Sequence, residues 1–154
     1  MADRRCGGCD ACCEALPIDA VMSARYERCV YQRRHYRCCS IYSERPKFCR
    51  QFQCSWLRGD FAIRDRPDKI GCVVTRDHGP AVGVFSSFRE IYDRSFDQSR
   101  VTKLIHKCRS RNLNVVVVYR SGERKAYGSE EFLESLRGLV DKSTFVADSY
   151  PKHL

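Results

Sequence analysis

Residues 6–13 read Cys-Gly-Gly-Cys-Asp-Ala-Cys-Cys and place Cys6, Cys9, Cys12 and Cys13 within eight positions. No small core needs four thiols in one turn-rich stretch, so they pair, hold a metal, or react. Nine of the 11 cysteines fall between Cys6 and Cys54: Cys6, Cys9, Cys12, Cys13, Cys29, Cys38, Cys39, Cys49 and Cys54. Whatever those nine do governs how the first third of the chain folds. Only Cys72 and Cys108 stand apart.

The compartment bears on the choice. No apolar run approaches the roughly 20 residues that a membrane span needs. The chain begins Met-Ala-Asp-Arg-Arg and runs straight into Cys6 with no apolar leader, so the expected location is cytoplasmic, with no membrane partner. Reducing conditions disfavour structural disulfides, and an odd count leaves one thiol over in any all-disulfide scheme. Metal ions are therefore the expected partners of the cluster.

Zinc takes four ligands in a tetrahedron, and two thiolates separated by two residues supply two corners from one tight turn. Cys6 and Cys9 form such a pair around Gly7 and Gly8, and Cys9 and Cys12 form another. The adjacent pairs Cys12-Cys13 and Cys38-Cys39 are less usual, because neighbouring side chains diverge and do not readily bind one ion. They suit two ions, or one ligand and one packed thiol. Eight thiolates complete two mononuclear zinc sites, and nine fill three with bridging sulfurs. One iron–sulfur cluster uses four and leaves five unexplained, and the ferredoxin run is matched only through Cys12. Zinc ranks first, with iron or an iron–sulfur cluster as the alternative.

The segment "CGGCDACC" followed by "CSIYSERPKFCRQFQCSW" resembles the CxxCxxCC family of zinc- or iron-chelating domains. The later part of that pattern falls on Cys39, Ile41, Tyr42, Arg45, Pro46, Cys49, Arg50 and Phe52. The resemblance covers residues 6–57. It implies Cys6, Cys9, Cys12, Cys13, Cys39 and Cys49 as core ligands and matches Cys29 to a further family cysteine. Cys38 and Cys54 depart from the pattern, and the interval between Cys13 and Cys39 is short for it. The family includes flagellin lysine N-methylases, yet the resemblance implies chelation rather than any particular reaction.

Other features weigh less. Cys72 in "GCVVT" and Cys108 on an apolar helical stripe read as core residues. His106 and Cys108 are two apart and face different sides of a helix. His78 reads as an exposed turn residue, and His35 as a surface one. Arg45 is expected to hydrogen-bond backbone carbonyls or cluster sulfurs, with Pro46 starting a helix. The segment 24–39 interleaves arginines with Tyr26, Tyr31 and Tyr36, a composition that suits single-stranded nucleic acid. No finger, ribbon or RNP motif is complete, so nucleic acid ranks behind metal as a partner. A protein partner stays open. The net charge of +9 is spread over the chain without a block of one sign and reads as a solvated basic surface.

The expected architecture is α+β, with an irregular cysteine-rich metal-binding module over 1–58 and a ββα-ββα region over 59–154. The pattern predicts one helix through "PKFCRQFQCSWL". It predicts strands at "GCVVTR" and "AVGVFS" around a turn at 77–80, then a helix opened by a Ser87–Glu90 capping box and stopped near Asn112. A second hairpin, "NVVVVYR" and "RKAYG", leads to a last helix capped by Ser129 and carrying Phe132, Leu133, Leu136, Leu139 and Val140. The strands are expected to form an antiparallel sheet with both helices on one face. The expected function is that of a zinc-binding protein with a structural, storage or delivery role. The alternatives are an iron–sulfur or methyl-transfer enzyme and a metal-stabilised nucleic-acid-binding protein. No G-x-G-x-x-G loop and no nucleophile–base pair argue for the enzyme.

Overall fold

Four consecutive valines, 115–118, are all buried, with exposures of 0, 8, 2 and 4%. Side chains alternate across a strand, so such a run must be covered on both faces. The computed structural model describes residues 4–16, 27–33, 39–139 and 145–149, the last segment by its backbone alone. Its sheet has five strands in sequential order: β1 (Cys72–Gly79), β2 (Gly83–Glu90), β3 (Val115–Val118), β4 (Arg124–Gly128) and β5 (Phe145–Ser149).

The sheet is mixed rather than antiparallel. β1–β2 and β3–β4 are antiparallel hairpins, whereas β2–β3 and β4–β5 are parallel neighbours. Each parallel pair is joined by a helical crossover, α5 (Ser99–Arg109) in the first case and α6 (Glu130–Arg137) in the second. Both crossovers step the same way across the sheet, but their strands run in opposite directions. Two crossovers of one hand then place their helices on opposite faces.

The packing agrees. α5 lays Val101, Leu104 and Cys108 against Cys72, Val74, Phe88, Val115 and Val117. α6 lays Phe132, Leu133 and Leu136 against Val116, Val118 and Ala126. The expectation of helices on one face is thus corrected. Ser129 caps α6 as predicted, its hydroxyl accepting from the Phe132 amide at 3.2 Å. Leu139 is exposed beyond the helix end, and Val140 lies outside the described residues.

The expected capping box is also corrected. Ser87 and Glu90 lie in β2, where the Ser87 hydroxyl donates to Asp77 across the hairpin at 2.6 Å. Glu90 accepts from the Arg120 amide at 2.9 Å and so ties the end of β2 to the end of β3. The hairpin turn falls at 80–82, because β1 runs on through Asp77, His78 and Gly79. Asn112 follows α5 with a φ of 53°, in keeping with the predicted stop.

Before the sheet come four short helices, α1 (Ala11–Ala15), α2 (Lys47–Gln51) and α3 (Ser55–Arg58) in the cysteine-rich segment and α4 (Pro67–Ile70) just ahead of β1. The single helix expected from Pro46 is two, with Phe52, Gln53 and Cys54 between them and both Phe52 and Cys54 in extended conformation. Ala11 and Ala15 of α1 pack on Val73 and Ile91, all four at 1% exposure or less. Val73 lies in register with Arg89 and Val118, so α1 covers at β1 the face that α6 covers at β3 and β4.

Candidate functional site

The first two ligand candidates come from one tight turn. The Cys9 amide donates to the Cys6 carbonyl at 2.8 Å, and Gly7 takes a φ of 50°, which favours glycine. α1 follows at once and carries Cys12 and Cys13, with the Cys13 amide donating to the Asp10 carbonyl at 2.9 Å. Successive residues of a helix point about 100° apart, so the adjacent thiols diverge.

A second turn presents Cys29. The Gln32 amide donates to the Cys29 carbonyl at 3.0 Å, and Gln32 pairs with Cys39 in an antiparallel bridge. The Gln32 side chain then reaches α1, donating to the buried carboxylate of Asp10 and to Glu14. Gln32 and Asp10 are 7 and 2% exposed and lock the Cys29–Cys39 turn against the Cys12–Cys13 helix. Sequence reasoning missed both. No motif marks a glutamine that acts by tying two ligand-bearing turns together.

Arg45 follows expectation: its Nε donates to the Tyr42 carbonyl at 2.7 Å, and its guanidinium lies 3.6 Å from the centre of the Tyr42 ring. Pro46 is the N-cap of α2, which presents Cys49. The extended step at Phe52–Cys54 turns Cys54 away from Cys49. Next to it, Trp56 is anchored by its Nε1 donating to the Ile63 carbonyl at 3.0 Å, and Arg4 lies over the ring at 5.4 Å.

Eight of the nine candidates line two adjoining cavities. Cys6, Cys9, Cys12, Cys13, Cys29, Cys39 and Cys49 line the first, together with Tyr31, Tyr42 and Arg45. Cys6, Cys9, Cys12 and Cys54 line the second, together with Trp56 and Pro67. Cys13, Cys29 and Cys49 pack as one cluster, whereas Cys9 and Cys54 pack with Ala11, Val73 and Ile91. The ninth candidate, Cys38, lies outside the described residues, as do His35 and half of the arginine–tyrosine segment.

The electrostatics divide the thiols in the same way. Burial pushes Cys9 up to about 12, with the Asp68 and Cys54 charges adding to it. Burial likewise raises Cys54, and the neighbouring Cys6 adds to it. Burial raises Cys29 and Cys49, and each has Cys13 and Cys39 as neighbours. Between the two sets, the close approach of Cys12 and Cys13 raises Cys12 and lowers Cys13.

Every described cysteine is a free thiol. Among the described residues no three His, Cys, Asp or Glu side chains stand in a ready-made metal-binding arrangement. Cys72 and Cys108 belong to the core under α5, as expected, and His78 and His106 are exposed. No helix among the described residues is long and apolar enough to cross a membrane. No family model, curated protein or solved structure matches the chain.

Proposed function

We propose that this protein binds zinc through its N-terminal cysteines, in two neighbouring four-thiolate sites. One site is Cys6, Cys9, Cys12 and Cys54, and the other is Cys13, Cys29, Cys39 and Cys49. The observation that carries the reading is the gathering of eight thiols, from five separate turns and helices, around two adjoining cavities. The soft, all-thiolate donor set suits zinc, and the resemblance of residues 6–57 to a chelating family points the same way.

A site filled by four thiolates keeps no open position for water, so its role is to hold structure rather than to activate a nucleophile. The described residues between Cys6 and Cys54 form only short helices and have little core of their own. Metal binding and folding are then one event for that segment.

Elemental analysis of protein purified under reducing conditions without chelator tests the reading, with about two zinc ions per chain expected. A metal-free preparation that is fully folded would overturn it. Iron with visible charge-transfer absorption would move the same thiols to the iron–sulfur alternative. Chelator titration followed by circular dichroism separates structure from storage or delivery: a structural site unfolds on losing its metal, and a carrier does not.

A further inference from the structure

A second feature lies apart from the cysteines. A groove of about 310 Å3 opens between the outer half of the β1–β2 hairpin and the C-terminal end of α5. Arg76 of β1, Lys107 of α5 and Arg111 after it bring three cations to its walls, all three exposed. Among the described residues none of the three has a carboxylate in salt-bridge contact. The acid on the wall, Asp60, already has Arg58 at 3.8 Å.

A cation in the last turn of a helix is favoured by the helix itself, which accounts for Lys107 alone. It does not account for Arg76 and Arg111, which reach the same groove from a strand and a loop. One half-buried ring lines the groove beside the charges. Phe61 stands edge-on to Phe88 with centroids 6.3 Å apart and so is held in place, whereas the Phe85 ring lies on the opposite face of the sheet, 5.7 Å from Phe132 of α6. Cations along a channel with a fixed aromatic ring beside them form a platform for phosphates and an unpaired base. The net charge of +9 adds a long-range field of the matching sign.

We propose that this groove binds single-stranded nucleic acid, with phosphates on Arg76, Lys107 and Arg111 and a base against Phe61. The assignment is independent of what the cysteines hold. The test is fluorescence anisotropy of a short labelled oligothymidylate and its oligouridylate counterpart, titrated with the full chain over a range of salt. Saturable binding is expected, weakening steeply with salt. Arg76→Gln, Lys107→Gln and Arg111→Gln are each expected to weaken it several-fold and to flatten the log–log salt slope by about 0.7. Lys103→Gln removes the same charge from an exposed position of α5 outside the groove and should leave the slope nearly unchanged. The proposal is overturned by an absence of saturable binding, or by a Lys103→Gln effect equal to the others. Tighter binding of a duplex, or equal binding of polyglutamate through the same residues, would overturn it as well.

Discussion

Cys12 and Cys13 are adjacent on α1, yet they belong to different neighbourhoods: Cys13 packs with Cys29 and Cys49, whereas Cys12 reaches the cavity that Cys54 lines. A helix that points neighbouring thiols in different directions can supply one ligand to each of two ions, which a turn cannot do as simply. If the thiols hold zinc as proposed, the sites should empty separately. Cys49→Ser and Cys54→Ser are each expected to lower the zinc content by about one ion per chain, while Cys72→Ala leaves it unchanged. Loss of all metal from either serine variant, with the chain still folded, would mean one shared cluster.

The chain has one tryptophan, and it lines the second cavity beside Cys6, Cys9 and Cys54. Trp56 is 7% exposed and is held by its bond to Ile63 and by Arg4. Its emission therefore reports on one site and not the other. Chelation of the wild-type protein is expected to shift that emission to the red as the ring gains water, and Cys54→Ser should start shifted. Cys49→Ser, with the second site intact, should start near the wild-type position. A red-shifted Cys49→Ser protein would show that the two cavities do not fold independently.

Gly71 ends α4 with a φ of 67°, and an added Cβ there would lie 2.4 Å from Ser95 Oγ and 2.8 Å from Ser95 Cβ. Ser95 cannot yield easily, because its hydroxyl donates to the Tyr92 carbonyl at 2.6 Å and it is itself buried. Gly59 ends α3 with a φ of 94° but has open space around it. Gly59→Ala is therefore expected to cost about 1 kcal/mol, from backbone strain alone. Gly71→Ala is expected to cost about 3 kcal/mol, since the clash adds to the strain. Equal costs in urea titration would show that the Ser95 turn gives way.

The local elements with strong chemistry of their own were legible in the sequence. Ser129 could be read as a cap because its hydroxyl has one preferred use there, and the Ser121-Gly122 turn places β3 against β4. The valine run held more than was read from it: four buried residues in a row require cover on both faces, which the single-face expectation overlooked. Ser87 and Glu90 misled because the spacing that caps a helix also occurs in a strand, where the partners are Asp77 and Arg120 instead. In the cysteine segment the thiols named themselves, but their division into two neighbourhoods did not. It depends on the break at Phe52–Cys54 and on the Gln32–Asp10 bond, neither of which has a sequence signature.

Asp65 joins the segment before the sheet to α5. Its carboxylate is 1% exposed and accepts from Arg100, at 2.7 Å for the Nη2 contact, and from the Ala62 amide at 3.1 Å. The Arg100 hydrogen bonds hold Asp65 below the usual carboxylate range. A carboxyl whose value falls on folding contributes stability that is present above the unfolded value, near 3.8, and is lost as the pH drops through the folded one. Asp65→Asn is expected to lower the thermal midpoint by several degrees at neutral pH, because it leaves the guanidinium without its charged partner. The gap between the two proteins should narrow steadily below about pH 4, as the wild-type carboxyl takes up its proton. Any release of zinc in acid acts on both proteins alike and drops out of the comparison. A gap that stays constant from neutral pH down to about 2 would show that the pair contributes packing rather than charge.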